Sequence, residues 1–450
     1  MSHSCVIHPE LKAPLSHALD AGKYSRMFPD LPALEQTAAL SSALGRRGAA
    51  LDAGDGPSMD NPRIPAGFAF LGQFVAHDIT RDISLLQHHS SLGELHNFRA
   101  PRLDLESVYG PGPSNAPYLY DRDDPDKFLI GVNDAGQPDD VPRNAQGIAL
   151  IADPRDDTHM IAAQLHLVFM KFHNAIVDRL RARGMPSEAV FEEARRTARW
   201  HYQWIIVQEF LCLSVGDDLV EDILQDGPRF YSVTDGVSIP VEFADAAYRF
   251  GHPQIRPSYR MNAVSGEHSM FPGLVGFRPV PAAMAADWTM FFNLERRPAP
   301  QASKRIEPRL AGPLMRLPEA MVGKVAREEE ASLAYRDLER GRDCDLPSGE
   351  EIARFMGLVP LSKDEVGLEQ HGWSNETPLW YYILREAELR HGGQRLGAVG
   401  GQIVAEVLLG LLLADPTSYL GAKPDWKPTL PSFEPGEFRM ADLLVFAGAA

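Results

Sequence analysis

The stretch FAFLGQFVAHDITRD, Phe68 to Asp82, decides the reading of this 450-residue chain. Apolar residues at helical spacing are interrupted by Gln73, His77 and Asp78. Gln73 and His77 are four apart, so on a helix they share one face. Asp78 follows about 100° further round the helix and serves a different neighbour. The pattern predicts a helix at about Pro65 to Ile79 crossing a buried cavity, with a polar face on the chemistry and a carboxylate on an adjoining anchor. A plain core helix with one hydrogen-bonded histidine has the same pattern, and this stretch alone does not separate the two.

Outward from it, the periodicity is helical. A helix runs to about Arg181, capped by Asp156 or Asp157, with Ile161, Leu165, Val168, Phe169 and Phe172 on its apolar face. A second spans about Ser187 to Leu213. PVEFADAAYRFGHP (Pro240 to Pro253) reads as a shorter helix ending near His252, because Pro253 disfavours helical geometry before it. Further helices are expected at 281 to 293, 349 to 356, 377 to 390 and 397 to 413. LGRRGAALDAGDGPSMDNPRIP (Leu44 to Pro65) reads as loop. Residues 84 to 150 carry turn-forming and acidic segments, and a stretch that long needs more than local hydrogen bonds to hold it. Strand alternation is rare and there is no internal repeat. The fold class is mainly α, a large single domain with long ordered loops. Residues 1–60 form an arm and loops packed on the core, with Phe28 and Leu31 as anchors, and 61–450 form the catalytic domain.

The net charge of −17 argues against a nucleic-acid surface. Cys5, Cys212 and Cys344 are odd in number and far apart, so no structural disulfide is expected. MSHSCVIHPELKAPLSH lacks the basic-then-apolar pattern of a signal peptide, so a cytoplasmic location is expected. VAEVLLGLLLA (Val404 to Ala414) is too short for a membrane span and reads as a buried helix.

GQFVAHDIT resembles the distal-histidine signature of the animal-type haem peroxidases, the peroxidase–cyclooxygenase superfamily. LDLESVYG (Leu103 to Gly110), DPRDDTHMIAAQLHLVFMKFHNAIVDRL (Asp153 to Leu180), YRFGHPQIRP (Tyr248 to Pro257) and DLERGRDCDLPSG (Asp337 to Gly349) follow in the family's order. The resemblance covers roughly residues 20 to 445 and looks like a compact bacterial form.

It implies haem and a set of roles. His77 is the distal base, suited by an unperturbed pKa near neutrality. Arg155 supplies positive charge toward the leaving oxygen. It stands at the family's spacing from His173–Asn174. Gln73 resembles the distal glutamine that orients water or a halide. His252 matches the proximal ligand to the haem iron, and its other nitrogen needs an acceptor. The family places asparagine there, whereas this chain has Asp337, a stronger acceptor. Arg249 and Arg340 match arginines near the haem propionates. Cyclooxygenases carry a radical-forming tyrosine three residues before the proximal histidine, where this chain has Arg249. Tyr248 is adjacent and, on a helix, points elsewhere.

Ala76 and Thr158 stand where related enzymes carry the carboxylates that esterify the haem, and His159 stands where myeloperoxidase-like enzymes carry a linking methionine. Noncovalent haem b is therefore expected, with His159 at the haem edge. Asp78, Asp104 and Glu106, with backbone carbonyls of Ala100 and Arg102, resemble a calcium site that would pin the long loop to the His77 helix. His166 and His173 share a helix face but read as core histidines. Together these readings imply a peroxidase that reduces hydrogen peroxide through an oxoferryl intermediate. Its donor is a halide, thiocyanate or a phenol-like compound. A fatty-acid dioxygenase of the same fold and a non-catalytic haem-binding protein are the alternatives. The oligomeric state stays open.

Overall fold

The computed structural model describes residues 24–54, 59–81, 97–233, 236–294 and 299–450. The absence of a leader, Cys5 and the end of the opening stretch at Asp82 lie outside the described residues.

The expected central helix is present as α2 (Gly67–Ile79), after a short helix α1 (Ala38–Gly45). The stretch read as loop before it is not all loop. It holds the end of α1 and a strand, β1 (Asp60–Pro65), which pairs antiparallel with Ala302–Lys304. Gly67 begins α2 because a Cβ there would meet the Phe292 ring at 2.4 Å. Among the described residues, the long connection after α2 contains a helical turn, α3 (Glu106–Tyr109), and a 3-10 turn, Pro117–Leu119.

The long helix α4 (Met160–Ala182) starts later than expected. Its N-cap is His159, whose ring accepts the Ala162 N–H at 3.1 Å, and not Asp156 or Asp157. Those two aspartates sit in the preceding 3-10 turn, Pro154–Asp157, capped by the Asp153 side chain. α4 is long and apolar enough to cross a membrane by length and composition, but its Ile161, Leu165 and Phe172 side chains are buried in the fold. α5 (Ser187–Ile205) continues through a π-helical turn, Ile206–Leu211, into α6 (Cys212–Val215). The wider turn at 206–211 brings Phe210 to the wall of the central cavity.

The helix expected before His252 is two pieces, α8 (Val241–Ala244) and a 3-10 turn Ala247–Gly251, after α7 (Asp217–Asp226). The helix expected at 281 to 293 is replaced by two 3-10 turns, Ala282–Met284 and Trp288–Met290. The remaining expected helices form at Gly349–Phe355, Leu379–His391 and Ala398–Ala414. The last is apolar almost all round, as suits a helix buried on every side. Its one acid, Glu406, is fully buried and accepts N–H bonds from Arg229, Phe230 and Tyr231 at 2.7–2.8 Å. In the arm, Phe28 is buried, Leu31 is partly buried, and Glu242 accepts the Met27 and Phe28 N–H groups.

Candidate active site

The cavity-lining positions of α2 and its C-cap are Phe68, Ala69, Gly72, Gln73, Ala76, His77 and Thr80. Their spacing of three and four traces one helical face. Ala69, Gly72 and Ala76 keep that face low, and a Cβ on Gly72 would crowd the Phe210 ring at 3.3 Å. Arg155 and His159 join them from the turn before α4, and Tyr248 to His252 close the cavity from the segment after α8. The cavity holds about 340 Å³, within the range of small-molecule and cofactor sites. Gln73, His77, Arg155, His159, Arg249 and His252 therefore line one space. Asp337 and Arg340 lie behind its wall.

His77 and His252 are built alike. His77 Nδ1 lies 2.6 Å from Asp156 Oδ1, and His252 Nδ1 lies 2.6 Å from Asp337 Oδ2. Both aspartates are buried. Each carboxylate accepts a hydrogen bond from the Nδ1–H, so in the neutral ring Nε2 carries the lone pair. Asp156 gives its second oxygen to His166 Nδ1 at 2.8 Å. Burial opposes its charge, but the bonds to His166 and His77 outweigh burial and hold it below the usual carboxylate range. Sequence reasoning missed this role, having read Asp156 as a helix cap.

Gln73 Oε1 is 2.8 Å from His159 Nε2. Because His159 Nδ1 accepts the Ala162 N–H, Nε2 carries the proton and donates it to Gln73. Burial lowers the His159 pKa to about 3, aided by His77 nearby, so the ring is neutral. The Gln73 amide group is left for the cavity.

Arg155 lines the cavity but is not a bare cation. Its Nε and Nη2 donate to Asp153 at 3.0 and 2.7 Å, and Nη2 also reaches the His77 carbonyl at 2.9 Å. Burial works against the Asp153 charge, yet Arg155, His77 and Arg99 hold its carboxyl far below the usual range.

Arg249 lines the cavity and is also held from behind. Its Nη1 donates to Asp337 at 3.0 Å, Nη2 to Asp245 at 2.9 Å, and Nε to the Ala244 carbonyl at 3.1 Å. With all three nitrogens engaged, it braces the carboxylate behind His252. Arg340 Nε is 4.0 Å from Asp245. Tyr248 corrects its expectation. In the 3-10 turn it lines the cavity, and its buried hydroxyl has no hydrogen-bond partner among the described residues. The buried Gln254 Nε2, two residues after His252, is likewise unpartnered there. Two orphaned polar atoms, apolar walls and two unprotonated imidazole nitrogens fit a planar, largely apolar cofactor with polar edges. Among the described residues no Asp or Glu lines the cavity, and Thr158 turns its hydroxyl to the Arg155 carbonyl.

The residues expected at a calcium site make protein contacts here. Asp78 Oδ2 accepts the Leu105 N–H at 3.0 Å, and Oδ1 accepts the Ser107 N–H and hydroxyl at 3.3 Å. Asp104 accepts the Glu106 N–H, and the Ala100 carbonyl accepts the Arg102 N–H. Glu106 is turned to Arg99, whose Nη1 is 3.5 Å away, while Arg99 Nη2 is 2.6 Å from Asp153. Among the described residues no group of three carboxylate, histidine or cysteine side chains is arranged to hold a metal ion. Burial and then Asp104 push the Asp78 carboxyl up to about 8, while Arg99 pulls the other way. Asp78 and Asp104 form a buried carboxylate pair, and Arg99 pairs with Glu106 and Asp153 beside it.

The comparisons agree with this geometry. The family profile described as animal haem peroxidase matches residues 78–366. Human thyroid peroxidase is 26% identical over 239 residues, covering 49% of this chain and 24% of that protein. Peroxidasin of Drosophila melanogaster is 23% identical over 308 residues, covering 62% and 19%. The chain thus spans about a quarter or less of these curated relatives. In fold, peroxidase A from Dictyostelium discoideum superposes with a TM-score of 0.67 at 15% identity, covering 94% of this chain and 93% of that one. A fatty acid alpha-dioxygenase from Arabidopsis thaliana gives 0.62 at 15% identity, covering 88% and 73%. With its cavity lined by two imidazoles and its profile match across most of the domain, the chain belongs to the animal haem peroxidase family.

Proposed function

We propose that this chain is a haem peroxidase that reduces hydrogen peroxide and oxidises a small donor such as a halide, thiocyanate or a phenol. The observation that carries the reading is the pair of carboxylate-braced imidazoles, His77 and His252, lining one cavity. The haem, when bound, supplies the iron and the two-electron redox chemistry. His252 would hold it through Nε2, with Asp337 accepting the Nδ1 proton and Arg249 bracing Asp337. Among the described residues the wall offers no carboxylate for an ester, which supports noncovalent haem b. His77 Nε2 would take a proton from hydrogen peroxide and return it to the departing oxygen, which leaves as water. Arg155, steadied by Asp153, faces the negative charge that develops on that oxygen. Gln73 presents its amide group, oriented by His159, to water or a small donor.

The test is an absorbance spectrum of the purified protein followed by stopped-flow mixing with hydrogen peroxide. The expected result is a Soret band that changes rapidly with peroxide, slowed by about two orders of magnitude or more in His77→Ala or Arg155→Ala. A colourless protein after growth with ample haem sinks the reading.

One observation favours a second reading, oxygenation of a fatty acid: the Tyr248 hydroxyl, buried and unpartnered in an apolar cavity wall. Oxygen consumption with a long-chain fatty acid, lost in Tyr248→Phe, would support it over the first.

A further inference from the structure

We infer that Asp156 is the positioning residue of the distal side. It fixes His77 as the Nδ1-protonated tautomer with Nε2 open to the cavity, and His166 clamps Asp156 in that role. The inference rests on the peroxidase reading for its chemical purpose but on geometry for its content.

The geometry is specific. Asp156 has both oxygens occupied by ring nitrogens, His77 Nδ1 at 2.6 Å and His166 Nδ1 at 2.8 Å. Asp156 and His166 are each about 1% exposed, so no water competes for these bonds. His166 lies ten residues along the chain, on α4, while His77 comes from α2. One carboxylate therefore ties the His77 helix to the core helix. Because Asp156 is ionised, both ring nitrogens facing it must be donors. Other charged or titratable groups around His77 are Arg155 and Asp153 from the same turn and neutral His159 at the α4 N-cap. None of them bonds to a His77 ring nitrogen.

The consequence for a base is twofold. A fixed tautomer keeps the lone pair of Nε2 facing the cavity. A buried carboxylate at Nδ1 stabilises the imidazolium that forms when Nε2 takes a proton. An amide in place of the carboxylate offers one acceptor and one donor. One of the two histidines must then receive an N–H at Nδ1 and carry its own proton on Nε2. For His77 this means a proton where the base needs a lone pair.

Asp156→Asn keeps the shape and tests this directly, with His166→Gln as companion, since glutamine still offers an N–H to Asp156. The first readout is the histidine-selective 15N spectrum of the protein as purified, reduced under carbon monoxide so that any iron is diamagnetic. His77 signals are assigned by their loss in His77→Gln. The parent should have His77 and His166 protonated at Nδ1, and Asp156→Asn should move the proton to Nε2 on one of the two rings. The second readout is the pH profile of the peroxide reaction. In Asp156→Asn the maximal rate should fall about 100-fold or more, and the acid limb should move down by about one pH unit or more. In His166→Gln the rate should fall less than in Asp156→Asn, by about tenfold at most, as for the loss of one hydrogen bond.

A His77 Nδ1 without its proton in the parent, or Nδ1 protons kept on both His77 and His166 in Asp156→Asn, overturns the assignment. If Asp156→Asn does not fold, the parent spectrum alone decides. A parent that never reacts with peroxide sinks the peroxidase reading, while the tautomer result still decides the role of Asp156.

Discussion

His159 Nε2 donates to Gln73 Oε1 at 2.8 Å while His159 Nδ1 accepts the Ala162 N–H, so one ring both caps α4 and orients a cavity amide. His159→Phe keeps the ring against Phe70, now at 5.3 Å between centroids, and deletes the donor. Losing one neutral hydrogen bond costs about 0.5–1.5 kcal/mol, so the peroxide reaction should slow by roughly 2- to 10-fold. Because burial holds the His159 pKa at about 3, this loss should be the same at every pH from 5 to 9. Stopped-flow rates across that range check it. A loss confined to low pH would mean that His159 titrates there.

Asp337 is shared between His252 at 2.6 Å and Arg249 at 3.0 Å. Its full negative charge lends the imidazole anionic character, which favours the higher oxidation state of a bound iron. Asp337→Asn should therefore raise the ferric–ferrous potential by about 60 mV or more, a tenfold change in the one-electron equilibrium. A spectroelectrochemical titration reads it. An unchanged or lowered potential would show that Arg249 already cancels the charge.

The features legible in the sequence were those carried by local periodicity or by a fixed motif offset. Gln73 and His77 share a face because they are four apart on a helix, and Asp337 was placed beside His252 by its offset to Arg340–Asp343. What was not legible depends on tertiary geometry. Nothing local marks Asp156 as the partner of His77, 79 residues away, or Arg99 as the partner of Asp153, 54 residues away. The sign that Asp156 is special, a histidine ten residues on, matches no helical period. Tyr248 was misjudged because a 3-10 turn, not an α-helix, presents it.

Arg99 is buried between Asp153 and Glu106, and its charge also reaches Asp78. If this guanidinium holds the loop to α2, chelation of divalent ions should leave the melting temperature unchanged. Arg99→Ala should instead cost about 3–5 kcal/mol, the usual result of removing one partner from a buried ion pair. Denaturant unfolding with and without a chelator checks both arms. A chelator-sensitive parent would restore calcium to this loop.

His201 sets the last prediction. It is fully buried, its Nδ1 bonds the Thr197 carbonyl at 2.7 Å, and its Nε2 accepts the Thr429 and Leu430 N–H groups at 3.1 and 3.2 Å. Protonating Nε2 would set a donor against two donors. Burial lowers the pKa to about 4, with Arg196 adding to the effect against the pull of the Thr197 carbonyl. The unfolded chain takes up this proton near pH 6.5, so between there and pH 4 it binds more protons than the native state. The stability held in neutral His201 is therefore complete above about pH 6.5 and is lost as pH falls toward 4. The slope is at most about 1.4 kcal/mol per pH unit. His173, with a pKa lowered to about 4 by burial, adds a term of the same sign. His201→Gln can accept the same N–H groups but never charges. It should be less stable than the parent at pH 8, and the gap should close as pH falls through 6 to 5. Urea unfolding at those three values measures it. A gap that stays constant would mean that His201 takes up its proton equally in the folded and unfolded chains.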